Sequence, residues 1–295
     1  MTSCPCCSSS AYLVSETIHN LPRSAQEFTK TPFIPPTLSA ELYHCSFCQH
    51  SFLDIPPVGY YKSVFRSVGI SPQMLAFRHN QFSEIFTTYL SSQEDVKTLE
   101  VGCGDGSLSS ILSSLSFKSY ATDHRSDFPP NKDIVFVDTH PDNDSFVSDL
   151  LPYAPFNYIS CYSYLEHLPC PHSFFQKISQ LLHPDGILHI EVPNSDFIFR
   201  HKLINEVIPD HLHYFTSLSL THLAARSKLD LVSYTAIWHN YISSAIFKPS
   251  PSRSPVSLLS GQHRFFKNVD TFIHKYSDKH IVVWGAGHQA LLYIS

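Results

Sequence analysis

The chain has 295 residues, with 20 Lys and Arg against 25 Asp and Glu and a formal net charge of −5. That balance leaves no basic footprint for a nucleic-acid backbone, and no apolar run approaches the ~20 residues that cross a bilayer. No basic segment followed by an apolar core opens the chain, so the expected location is the cytoplasm, where its eight cysteines stay reduced and free to bind metal.

Cys4, Cys7, Cys45 and Cys48 form two C-x-x-C pairs. Each pair offers two thiolates from one knuckle, and two knuckles close a tetrahedral zinc site with no open position, which is a structural role. Cys6, His44 and His50 stand beside the pairs, so the ligand set stays open to one of them. Residues 1–57 are short and proline-rich, cannot bury much core, and read as a module that a metal would fix. Only Arg23 and Lys30 lie between the pairs, which argues against a nucleic-acid zinc ribbon.

Thr98-Leu99-Glu100-Val101 reads as a strand, and the turn Gly102-Cys103-Gly104-Asp105-Gly106 follows at once. Three of the chain's nine glycines fall in these five positions. They let the backbone turn tightly and approach a ligand with no Cβ between. Ser107 then opens a helix and is predicted to cap it, so free N–H groups and a partial positive charge face the turn. A nucleotide-like cofactor is expected at Gly102, Gly104 and Gly106. The dinucleotide fingerprint has a third glycine where this chain has Ser107. The next strand, 118–122, closes on Asp123, and Glu100 and Asp123 are the acids placed for ribose hydroxyls. About ten residues containing Pro129-Pro130 lead to the strand 134–138, too few for the usual crossover helix, so a loop is expected. Asp138, at the end of that strand, joins the cofactor set.

The strand-helix alternation continues as in a doubly wound sheet. A strand over 158–162 precedes Leu165-Glu166-His167-Leu168-Pro169. Apolar residues at 174, 175, 178, 181 and 182 make a helical stripe, ended by His183-Pro184-Asp185-Gly186, and a strand follows over 187–192. After Pro209-Asp210-His211-Leu212-His213-Tyr214-Phe215-Thr216 come a helix over 218–226 and a hairpin of 229–238 with 241–247. Serine and proline alternate in the linker 248–262. A helix over 265–276 and a strand over 281–284 lead to Gly285-Ala286-Gly287-His288-Gln289-Ala290. That dinucleotide-type turn lacks the acid expected about 20 positions on, so a partial βα unit is expected at this end.

In this order the stretches resemble the sugar C-methyltransferase-like family of class I S-adenosylmethionine-dependent methyltransferases. The match lies in Cys4 to Cys48 with Leu21-Pro22-Arg23-Ser24-Ala25-Gln26 between them, in Gly59-Tyr60-Tyr61 through Phe77-Arg78, in residues 99–106, and in Ile281-Val282-Val283-Trp284-Gly285-Ala286-Gly287. The glycine motif alone marks only the superfamily; the order of modules narrows it. The resemblance implies an α/β fold: a zinc module over 1–57, a doubly wound, seven-stranded Rossmann-like sheet binding S-adenosylmethionine over 58–247, and a truncated Rossmann-like domain over 248–295. It implies methyl transfer to a small molecule, a nucleotide-linked sugar, at carbon. A carbon acceptor needs a base to remove the proton next to a carbonyl. In the family that base is a histidine after the fifth strand, helped by the preceding acid; the matching residues are His211 and Asp210. His167 would be a second polar contact across the pocket, and Tyr61 would reach in from the N-terminal side. The family has a tyrosine where this chain has Ile208, and glutamate where it has Asp210. Methylation at oxygen or nitrogen, or a catalytically inactive binding protein, therefore stays open beside C-methylation.

Overall fold

The computed structural model describes residues 2–10, 13–22, 36–58, 70–115, 117–124 and 131–251, with isolated positions at 271 and 275. Residues 1–250 form one compact unit and 251–295 a second, and the features below belong to the first. Tyr61, the crossover over 125–130 and the C-terminal helix, strand and glycine turn lie outside the described residues.

Three strands come first: β1 (Leu13–Pro22), β2 (Thr37–Cys45) and β3 (Ser51–Leu53). Helix α1 (Pro72–Tyr89) leads to β4 (Lys97–Val101), α2 (Ser107–Ser114), β5 (Lys118–Thr122), β6 (Ile134–Val137), α3 (Phe146–Leu150), β7 (Phe156–Tyr162), α4 (Pro171–Leu181) and β8 (Leu182–Pro193). There follow α5 (Ser195–Arg200), the short β9 (His213–Tyr214), α6 (Ser217–Ala225), β10 (Leu229–Ile237) and β11 (Ile242–Pro249). Among the described residues no helix is long and apolar enough to cross a membrane.

The larger sheet has seven strands in the order β10-β11-β8-β7-β4-β5-β6, and the five from β6 to β8 run parallel. This is the doubly wound α/β architecture. β7 is buried at every position, as a parallel strand covered on both faces must be. Phe174, Phe175, Ile178 and Leu181 supply the buried stripe of α4. The chain moves from β4 outward through β5 and β6, then returns to the other side of β4 as β7 and β8. Strand order thus reverses between β4 and β7, and their carboxyl ends open the crevice where sheets of this kind bind ligands.

Two local expectations are corrected. Ser107 does not cap α2: Gly106 occupies that position with φ +77°, and Asp105 Oδ1 accepts from the Ser107 N–H at 3.0 Å. The strand predicted from 187 begins at Leu182, because the residue that ends α4 is already extended and pairs with Phe156.

The smaller sheet, β1-β2-β3-β9, is antiparallel. Its fourth strand comes from the far end of the chain, pairing Ser51 with Tyr214 and Phe52 with His213. Leu21, Ala40, Leu42 and Leu53 pack with Val207 and Tyr214 in a separate small core.

Helix α1 docks through charge as well as apolar contact. Arg78 Nη1 lies 2.6 Å from Glu191 Oε2 on β8, and both side chains are buried. Gln81 donates to Glu191 Oε1 at 2.5 Å, and His189 Nε2 stands 3.3 Å from the same oxygen. Burial alone would raise the Glu191 carboxyl, but the His189 hydrogen bond and the Arg78 charge outweigh it and hold it down to about 2. A depressed carboxylate stabilises the fold above its ordinary range and loses that contribution as pH falls toward 2. Glu191→Gln is expected to cost about 3–5 kcal/mol, because it strands a buried guanidinium. Denaturant unfolding between pH 5 and pH 2 should show the acid-side loss in the parent and a flatter profile in the variant.

Candidate active site

The turn after β4 is built from its own backbone. The N–H groups of Gly102 and Cys103 both reach the Thr122 carbonyl, at 2.9 and 3.2 Å. Gly102, Gly104 and Gly106 have φ of +78°, +55° and +77°, the left-handed region that suits glycine. Gly102 has a second reason: a Cβ there would lie 2.6 Å from Tyr164 Cγ. Asp123 Oδ2 accepts from the Gly104 N–H at 2.8 Å, so the acid after β5 braces the turn.

Glu100 is 2% exposed and accepts a hydrogen bond from Ser109 on α2, which ties β4 to α2. Burial pushes its carboxyl up to about 8. Asp138 is exposed beyond β6. His124 and His140, one residue after Asp123 and two after Asp138, have ring centroids 3.6 Å apart, and Asp142 gathers with them.

The end of β7 continues from Tyr164, against Gly102, directly into the turn Leu165–His167. Glu166, His167, Asp210 and His211 meet here. His167 Nδ1 donates to the Asp210 carbonyl at 2.7 Å, and the His167 and His211 rings stand edge to face at 4.9 Å. The Leu212 N–H donates to the Glu166 carbonyl at 2.9 Å, which fixes the two segments to each other. Burial pushes Glu166 up to about 8. Burial, with the neighbouring His167, pushes His211 down to about 3, which keeps its imidazole neutral. The expected pair Asp210 and His211 therefore lies beside His167. Glu166 and Tyr164 carried no expected role, although Leu165-Glu166-His167 names the first of them. A cavity of about 550 Å³ adjoins the next residues, lined by Val58, Asp142, Leu168, Cys170, Phe174 and Lys177 among others.

The four expected cysteines come together. Cys4 Sγ lies 3.4 Å from Cys48 Sγ, and Cys7 Sγ 3.6 Å from Cys45 Sγ. Four thiolates around one zinc at about 2.3 Å would stand about 3.8 Å apart, so this donor set fits the ion. The neighbouring candidates lie outside the set. Cys6 is a fully buried thiol, His44 Nδ1 stands 3.0 Å from Ser51 Oγ, and His50 Nε2 is 3.2 Å from His213 Nδ1.

A family model described as a methyltransferase domain matches residues 74–234. Among solved structures, a protein from Pyrococcus horikoshii is 16% identical with a TM-score of 0.49, the match covering 65% of this chain and 99% of that one. An S-adenosylmethionine-dependent methyltransferase from Clostridium acetobutylicum is 11% identical with a TM-score of 0.47, covering 65% and 96%. The magnesium protoporphyrin IX methyltransferase of Synechocystis, with bound SAH, is 12% identical with a TM-score of 0.44, covering 65% and 97%. No curated protein matches the chain.

Gly102→Ala is expected to lower stability by about 1–3 kcal/mol, from the positive φ and the Tyr164 ring together. In a double-mutant cycle followed by denaturant unfolding, Tyr164→Ala should relieve the steric share and leave the backbone share. Additive single and double variants would mean that the ring does not constrain the turn.

Proposed function

This chain belongs to the methyltransferase domain family, and we propose on that premise that it moves a methyl group from S-adenosylmethionine to a small molecule, a nucleotide-linked sugar, at carbon. One observation carries the reading. The left-handed glycine turn and the Glu166–His167–Asp210–His211 cluster share the crevice end of the sheet, linked through Tyr164 against Gly102. Cofactor and acceptor would then lie side by side.

The cofactor, when bound, supplies a methyl group on a positively charged sulfur. Gly102, Gly104 and Gly106 would admit it close to the backbone, and Asp123, already aligned by Gly104, would grip the ribose, with Asp138 nearby. The chain's share of the work is alignment, exclusion of water and acceptance of a proton. His211 would take the proton from the acceptor carbon. Gly102, Gly104 and Gly106 would hold the methyl in line with that carbon, so that sulfur would keep the electron pair of the bond it gives up. Asp210 would act as the helper, and its carbonyl orients His167 through Nδ1. Tyr61 would complete the acceptor contacts. Ile208, where the family carries a phenol, favours a hydroxyl or amine acceptor as the second reading.

Cys4, Cys7, Cys45 and Cys48 would hold one structural zinc in a module over 1–57, ahead of a catalytic domain over 58–247 and a partial Rossmann-like unit over 248–295. A cytoplasmic location accords with reduced thiols.

His211→Ala is expected to abolish methyl transfer to a panel of nucleotide sugars, read by mass spectrometry with labelled cofactor, while calorimetry shows nearly unchanged cofactor affinity. Persisting transfer would put the base elsewhere. Asp123→Ala should weaken cofactor binding by about 1.5–3 kcal/mol, one hydrogen bond to a charged group; unaltered binding would remove Asp123 from the ribose. Elemental analysis should find one zinc per chain fewer in a Cys45→Ser/Cys48→Ser variant than in the parent. Equal zinc content in the two would assign it to other ligands.

A further inference from the structure

The proposed base and two side chains beside it come together. Glu166, His167 and His211 each offer a ligand atom, and these atoms all lie within 4.8 Å of one another. Glu166 Oε1 is 3.9 Å from His167 Nε2. A carbonyl only accepts, so His167 Nδ1 carries the proton in its contact with Asp210. This is the way a metal-ligating histidine is oriented, with its other nitrogen donating to a carbonyl. Glu166 and the His211 Nδ1 atom are buried, yet Glu166 Oε2 and His211 Nδ1 have no hydrogen-bond partner. Each such orphan is costly to bury.

What would relieve that cost follows from the donor types. Two imidazole lone pairs and, once the ion displaces its proton, a Glu166 carboxylate oxygen are all electron-pair donors. Two histidines with one carboxylate suit a divalent transition ion such as zinc, cobalt, manganese or iron, whereas calcium and magnesium prefer all-oxygen sets. The ligand atoms, within 4.8 Å of one another, must draw together for bonds of about 2.0–2.2 Å.

We propose that Glu166, His167 and His211 form a second, divalent transition-metal site inside the acceptor pocket, separate from the cysteine cluster, and that an ion there holds methyl transfer off by occupying the base. The inhibitory half rests on the reading of His211 as base; the metal site itself does not. A free acceptor and a metal ion compete for the same lone pairs.

The test uses the full chain with its cysteine cluster loaded with zinc, titrated with Co²⁺ alone. One further equivalent of cobalt is expected, with the weak visible bands of nitrogen and oxygen ligation and without the intense thiolate charge-transfer band. Methyl transfer should fall in step with that equivalent and return on chelation, while cofactor affinity by calorimetry stays the same. Glu166→Gln and His211→Ala should each weaken this cobalt binding at least tenfold, and His211, less buried, is the substitution that least endangers folding. Absence of the second equivalent, or equal cobalt affinity in either folded variant, overturns the site. If no cobalt binds but His211→Ala still abolishes transfer, the base reading survives and the metal site falls. If cobalt binds and transfer rises, the inhibitory role and the base assignment fall together.

Discussion

The backbone of one residue organises the histidine cluster of this molecule. The N–H of Leu212 donates to the Glu166 carbonyl at 2.9 Å, and its own carbonyl accepts from Leu53 on β3 at 2.9 Å. Through these two bonds the turn after β7, the His211 segment and the N-terminal sheet become one object. A buried backbone group has little choice of partner, since leaving it unpaired is costly. Leu212 therefore locates His211 on one side and the start of β9 on the other. The histidine cluster is a product of main-chain geometry before any side chain is considered.

The cysteine cluster belongs to the same framework. The Cys45 N–H donates to the His50 carbonyl at 2.8 Å, so the knuckle fixes His50. The His213 Nε2–H donates to the Leu168 carbonyl at 3.0 Å, which leaves His213 Nδ1 to accept from His50 Nε2–H at 3.2 Å. Two stacked, buried imidazoles thus connect the knuckle to the residue that follows the Leu165–His167 turn. Burial pushes His213 down to about 3 and His50 down to about 4, so the pair stays neutral. A cysteine cluster remote in sequence acquires a direct mechanical hold on the Leu168 segment.

What could be read from the amino-acid string was what depends on neighbours along it. The central strands announce themselves as short, largely apolar runs because a parallel strand covered on both faces is buried throughout, as 156–162 is. The glycine turn is legible because left-handed backbone selects glycine. The two C-x-x-C pairs are legible because knuckle spacing is local. What stayed hidden depends on contacts across the fold. Glu100 looks like a ligand acid in sequence, but only the packing of α2 brings Ser109 to it. Tyr164 covers Gly102 through the adjacency of β4 and β7, and β9 is two residues long, below any periodicity. Glu191 and Arg78 hide for the same reason: an ion pair between a helix and a distant strand leaves no spacing to recognise.

The late recruitment of β9 also has a temporal side. During synthesis β3 emerges with one edge unfilled, and its partner, His213–Tyr214, is roughly 160 residues away. At ribosomal speeds of about 5–20 residues per second, that edge stays open for roughly 10–30 s. Open strand edges invite pairing with other chains. The nascent N-terminal sheet is consequently the stretch where a holding chaperone, or early capture of metal by the cysteines, would matter most to yield.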